Sequence, residues 1–115
     1  MNEILAGKVK TVYETAEPQE VLIRYEDKVT AGNGRKIDFP EGKGRLCCEI
    51  SSLLFKLMEK RNIKTHYISM PTNTTMCCKK VDIIPIEVVI RNIATGSIVR
   101  QTTIEEGTKF KWPMA

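Results

Sequence analysis

Polar and apolar residues alternate from the first glycine onward. In Gly7-Lys8-Val9-Lys10-Thr11-Val12-Tyr13, an extended chain puts Lys8, Lys10 and Val12 on one face and Val9, Thr11 and Tyr13 on the other. Glu17-Pro18-Gln19 reads as a turn, and residues 21–25 as a second strand antiparallel to the first. Two glycine-studded loops follow, Thr30-Ala31-Gly32-Asn33-Gly34 and Glu41-Gly42-Lys43-Gly44-Arg45, with a short extended piece at 35–39 between them. From Leu46 the period changes. Ile50, Leu53, Leu54, Leu57 and Met58 recur at helical spacing with Glu49, Lys56, Glu59 and Lys60 outside, which predicts an amphipathic helix ending near Asn62 with the five apolar residues inward. Residues 66–70 and 75–80 then read as strands around a Pro71-Thr72-Asn73 turn. The greasiest run, 83–91, reads as the most buried strand. Thr95-Gly96-Ser97 reads as the start of a helix, and the tail from Glu105 offers no evident closing element.

The buried run poses a problem. Glu87 and Arg91 share a face of a strand at 83–91, and charges on a buried strand are costly unless they are paired or face a polar cleft. Four strand residues separate them by about 13 Å, too far for direct contact. That face therefore reads as the lining of a ligand cleft. Backbone N–H groups and a hydroxyl at Thr95-Gly96-Ser97 favour an anion, and Arg91 adds a forked cation. Lys8 and Lys10 read either as a phosphate clamp, with Val12 against a base, or as guards of an exposed sheet edge.

Composition narrows the field. The chain has 115 residues, 42% of them hydrophobic and 28% charged, which suits one ordinary globular domain; no apolar run nears the ~20 residues of a membrane span, and a cytoplasmic protein is expected. The net charge of +4 is spread over the chain, apart from Lys56, Lys60, Arg61 and Lys64, and does not call for nucleic acid. Cys47-Cys48 and Cys77-Cys78 are adjacent pairs, unlike the C-x2-4-C spacing of zinc ligands, and read as reduced, buried thiols. The single histidine, His66, has no partner spacing that would make it a nucleophile's base.

The segments GKVKTVYE, DKVTAGNGRK, EGKGRL..EISSLLFKLME, IKTHYI and IIPIEVVIRNIATGSIVR together resemble the SAICAR synthetase family, in order, from about Leu5 to Gly107. The resemblance implies an α+β fold: an antiparallel, kinase-like or ATP-grasp-like nucleotide lobe over residues 1–82 with one amphipathic helix. Residues 83–115 would be the beginning of a second α/β lobe, truncated here. It implies an ATP-dependent ligase of purine biosynthesis that joins L-aspartate to carboxyaminoimidazole ribonucleotide through an acyl phosphate, giving SAICAR, ADP and phosphate. By the same resemblance Gly7, Lys8, Lys10, Val12, Lys80, Val81, Asp82, Ile84 and Glu87 would hold ATP. Thr30, Gly32, Asn33, Gly34, Arg91 and Ser97 would hold the ribotide substrate. ATP and Mg2+ are the implied cofactors, with the magnesium carboxylates in the family's C-terminal half and no metal ligand in this chain. No side chain is assigned as a catalytic group, no nucleic-acid or membrane partner is implied, and a homo-oligomer remains compatible. Cys47-Cys48 stands where the family carries polar, Asn-type residues, and Arg100-Gln101 where a basic pair is common. The alternative is a truncated, non-catalytic nucleotide-binding module.

Overall fold

The computed structural model describes residues 2–114. The chain divides into two compact units, Met1–Asp82 and Ile83–Ala115. The first is built on a five-stranded sheet of order β1-β2-β3-β7-β6, with all neighbours antiparallel. Its strands are β1 (Glu3–Ala6), β2 (Lys10–Glu14), β3 (Glu20–Tyr25), β6 (Tyr67–Thr72) and β7 (Thr75–Lys79). A small hairpin, β4 (Val29–Ala31) with β5 (Lys36–Asp38), and an 18-residue helix, α1 (Lys43–Lys60), lie between β3 and β6 in the chain.

The alternation at 7–13 marks a turn as well as a strand. Gly7 N–H donates to the Lys10 carbonyl at 2.8 Å, reversing the chain between β1 and β2. Lys8 therefore sits in the bend before β2, outside the strand face shared by Lys10 and Val12, and β1 is an element the glycine-led reading missed.

Register fixes one inner face. Lys10, Val12 and Glu14 lie opposite Tyr25, Ile23 and Val21, and Ile23 and Val21 in turn lie opposite Met76 and Cys78. α1 packs there, burying Cys48 fully with Val21, Tyr25, Met76 and Cys78, and half-burying Phe55 beside them. It touches β3, β6 and β7 but not β1 or β2, so the Lys10–Val12 end of this face stays uncovered.

The helix sits the other way round from its leucine pattern. Gly44, Cys48 and Ser52 face the sheet, while Ile50, Leu53, Leu54, Leu57 and Met58 are exposed. The reason is distance of approach. A Cβ on Gly44 would lie 2.6 Å from the Tyr25 carbonyl oxygen, so only the face with small residues spaced four apart can come this close. Ser52 donates to the Tyr67 hydroxyl at 2.7 Å, satisfying the polar group that this choice buries.

The N-terminus of α1 is capped from a distance. Gly42, at φ 84°, has no side chain to offer; the Asp27 carboxylate accepts from Gly42 N–H at 3.0 Å and Gly44 N–H at 2.7 Å. Those two bonds, led by Gly44, hold the Asp27 carboxyl below its ordinary range.

In the second unit the expected strand at 83–91 is absent apart from its last residue. Ile86 N–H donates to the Ile84 carbonyl at 2.7 Å, closing a tight turn around Pro85, which has no N–H for a ladder. Residues 83–90 are exposed, Ile84 at 73%. Order begins with β8 (Arg91–Ile93), which pairs antiparallel with β9 (Lys109–Met114). The tail thus supplies the closing strand that its sequence did not advertise. Between them runs α2 (Ser97–Gln101), and the fully buried Ala94 pins the loop: its N–H donates to Thr108 O at 2.7 Å and its carbonyl accepts from Gly107 N–H at 2.8 Å.

Candidate functional site

On the first unit the uncovered end of the inner face carries Lys10, Val12 and, across the β1–β2 ladder, Leu5. Lys10 is exposed, its Nζ 5.4 Å from the centre of the Tyr25 ring, where the π face attracts an ammonium. Val12 is half-buried against the core, while Leu5 is exposed. Val12 and Leu5 thus set two apolar side chains beside a cation. The turn that carries Lys8 is tied at both ends, by Gly7 N–H to Lys10 O and by Glu26 N–H to Val9 O at 2.9 Å. Gly7 is also sterically useful, since a Cβ there would lie 3.3 Å from the Lys10 carbonyl. Lys8 borders a hollow of about 580 Å³ with Gly7, Thr11, Asp27, Lys28 and Phe39; Lys10 does not line it.

Lys80 follows β7, its N–H donating to Gln19 O at 2.7 Å, and lines a hollow of about 260 Å³ with Glu14, Glu17, Glu20 and Val21. Val81 and Asp82 follow it, exposed and irregular. Thr30, Gly32, Asn33 and Gly34 belong to the β4–β5 hairpin. Gly32, Asn33 and Gly34 have φ of 60°, 57° and 85°, a left-handed run that only glycine and asparagine adopt readily, and none of the four lines either hollow.

The second unit brings three of the expected residues together. Glu87, Arg91 and Ser97 line one hollow of about 250 Å³ with Val89, Gln101 and Met114. Arg91 is held from two sides: Nε donates to Thr95 O at 2.9 Å and Nη2 to Ser97 Oγ at 3.4 Å. Gly96, at φ 68°, lets the loop fold over the guanidinium, since a Cβ there would be 3.1 Å from Nη2. The remaining N–H groups of Arg91 stay available to an acceptor. With only five residues, α2 has little macrodipole to offer, so the attraction for an anion comes from Arg91 rather than from the helix end. Ile84 lies in the Pro85 turn and does not line this hollow. Gln101 was missed, although its place one helical turn after Ser97 signals a shared face.

The thiols are free, and burial raises Cys48, Cys77 and Cys78, the last to about 11. Those three stay protonated near neutral pH and are poor nucleophiles. His66 sets its ring edge-on to Phe55, centroids 5.1 Å apart, a packing role. Among the described residues no group of three or more His, Cys, Asp or Glu side chains is placed to hold a metal ion, and no helix is long and apolar enough to cross a membrane.

Comparison with known proteins adds the family. A family profile described as SAICAR synthetase matches residues 3–115. A curated phosphoribosylaminoimidazole-succinocarboxamide synthase of Finegoldia magna is 45% identical over 113 residues, 98% of this chain and 49% of the relative. The crystal structure of such a synthase from Ehrlichia chaffeensis superposes with a TM-score of 0.87 at 42% identity, over 98% of this chain and 48% of that one. A SAICAR synthetase solved in complex with ADP gives 0.84 at 32% identity, over 96% and 47%. The chain spans about half the length of the curated relatives it matches.

Proposed function

The chain belongs to the SAICAR synthetase family, and we propose on that premise that it carries the nucleotide lobe and part of the ribotide site of an ATP-dependent ligase. The reaction joins L-aspartate to carboxyaminoimidazole ribonucleotide, giving SAICAR, ADP and phosphate. A carboxylate is a poor acyl donor. Transfer of the γ-phosphoryl of ATP to a carboxylate oxygen forms an acyl phosphate and releases ADP. The aspartate amine then attacks the acyl carbon, the amide C–N bond forms, the C–O bond to phosphate breaks, and the amine gives up a proton. No step needs a covalent nucleophile from the protein, in keeping with Cys48, Cys77 and Cys78 held protonated by burial.

In this reading the first unit binds ATP in the manner of a kinase-like lobe. Val12 lies under the adenine, Lys80 to Asp82 pass beside its edge, and Gly7, Lys8 and Lys10 meet the phosphates. Related SAICAR synthetase solved with ADP supports nucleotide use here. In the second unit Arg91 and Ser97 hold the ribotide phosphate, and Glu87, which lines the same hollow, faces the nucleotide; Ile84 completes the base-side segment. The Thr30, Gly32, Asn33 and Gly34 hairpin borders the acceptor. Magnesium would arrive with the ATP phosphates and neutralise part of their charge; among the described residues no carboxylate cluster is placed to hold it. Free thiols fit a reducing cytoplasm.

The observation that carries the reading is the braced Arg91, a cation fixed by two hydrogen bonds beside a serine in a hollow with room for a phosphate. Titration with the ribotide tests it: saturable binding that Arg91→Ala weakens at least tenfold supports the assignment, and binding indifferent to that change refutes it. A second reading is a nucleotide-binding module without ligase activity, since the described residues place no carboxylate cluster for a metal ion. It is distinguished by ATP binding without aspartate-dependent loss of the ribotide.

A further inference from the structure

Among the described residues three lysines set their ammonium groups against an aromatic ring. Lys10 lies 5.4 Å from the centre of Tyr25, Lys56 6.0 Å from that of Tyr67 and Lys111 6.0 Å from that of Trp112. The rings are not alike. Trp112 is 71% exposed and Tyr67 is half-buried, whereas Tyr25 is buried in the core with Val21, Cys48, Met76 and Cys78. Its backbone is held as well. Tyr25 N–H donates to Thr74 O at 2.8 Å, and Gly44 of α1 presses so close to the Tyr25 carbonyl that a Cβ would lie 2.6 Å from it. Of the three rings, that of Tyr25 is the fixed platform.

Register brings lysine and ring together. Lys10 lies directly opposite Tyr25 in the β2–β3 ladder, on the inner face with Val12. A lysine ammonium rides on a long flexible stem, and the freedom it loses on gripping a ligand is subtracted from affinity. The π face of a ring attracts the ammonium while the N–H groups that point away from it stay free to donate. We propose that Tyr25 is a positioning residue of the nucleotide site: its packed ring holds the Lys10 ammonium on the inner face, in place to meet the phosphates of Mg-ATP. The proposal rests on the nucleotide-lobe reading for the role of Lys10 and adds the group that sets that lysine. Tyr25 acts through Lys10 and need not touch ATP. Lys8, in the β1–β2 turn, is matched to none of the three rings, so its ordering falls to the ligand.

The test is a cycle of substitutions read by Mg-ATP titration of the whole chain. Tyr25→Leu keeps an apolar side chain but removes the ring, and should weaken binding about three- to fivefold; Tyr25→Phe keeps the ring and should bind within about a factor of two of the unsubstituted chain. In a Lys10→Ala background Tyr25→Leu should have no further effect, whereas in a Lys8→Ala background its effect should persist. A second measurement needs neither variant nor ligand: the ring current of Tyr25 should shift the ε-methylene protons of Lys10 upfield of those of Lys36, an exposed lysine of β5. Equal binding by Tyr25→Leu and Tyr25→Phe overturns the proposal, as does a Tyr25→Leu effect that survives Lys10→Ala. So do Lys10 protons at the ordinary lysine position, and if Tyr25→Leu does not fold that shift decides alone. Each of these outcomes leaves the nucleotide reading standing as long as Lys10→Ala weakens binding. Absence of saturable Mg-ATP binding by the unsubstituted chain would overturn both together.

Discussion

The two units hold their basic groups by different means. In the first, Lys10 and Val12 are placed by a sheet whose position depends on a packed layer: Met76, Cys48 and Cys78 are fully buried and α1 presses against Tyr25 through a glycine. Among the described residues of the second, only Ala94 is buried, and Arg91 is placed by hydrogen bonds to Thr95 and Ser97. A site set by packing shares the stability of its core, whereas a site set by two hydrogen bonds can be dismantled without unfolding anything. The difference predicts which substitutions will be felt as unfolding and which as lost affinity.

The largest effect should come from the packed layer. Met76→Ala removes the largest fully buried side chain and should cost about 2–5 kcal/mol in a denaturant melt, with ATP affinity lost only as the fold is lost. Gly44→Ala comes next. Its methyl would meet backbone atoms of Tyr25 and Glu26, which cannot swing aside as a side chain can, and a cost of about 1–3 kcal/mol is expected in the same melt. A Gly44→Ala chain as stable as the original would mean that the helix does not approach this closely.

Arg91→Ala should do the reverse. Its hydrogen bonds are partly exposed and worth about 1 kcal/mol or less each, so the melt should barely move while ribotide affinity drops. If the melt moves as far as it does for Gly44→Ala, the contrast between the units fails.

How legible this was from sequence follows the same division. Strands at 21–25 and 75–80 and the existence of α1 were readable because their patterns are local, and the structure places β3, β7 and α1 there. The orientation of α1 was not readable. Its leucine stripe is the stronger pattern, yet the sheet selects the face that permits close approach, a property of Gly44 and the Tyr25 backbone together. The run at 83–91 misled for a related reason: apolar composition says that a segment seeks burial, not that a partner lies beside it, and the Pro85 turn interrupts it. Glu87, Arg91 and Ser97 line one hollow, although the strand geometry used to group Glu87 with Arg91 does not exist. Arg91 and Ser97 meet because the chain turns at Gly96, a local event within a few residues. The Asp27 cap, spanning 15 and 17 residues to Gly42 and Gly44, left no sequence signal at all.

That cap gives the smallest effect and a sign that can be checked. The folded Asp27 carboxyl lies below its unfolded value, so its contribution is present above the unfolded value and disappears as pH falls through the folded one. The melting temperature of the unsubstituted chain should therefore fall more steeply below about pH 4 than that of Asp27→Asn, and parallel acid limbs would show that the carboxylate is not held by those amides.

The measurement that bears most directly on the nucleotide-lobe reading is an equilibrium titration of the chain and its Lys10→Ala variant with Mg-ATP. The proposal predicts saturable binding that weakens about tenfold in the variant, about 1.4 kcal/mol, with an unchanged melt. No saturable binding, or equal binding by both chains, would contradict it.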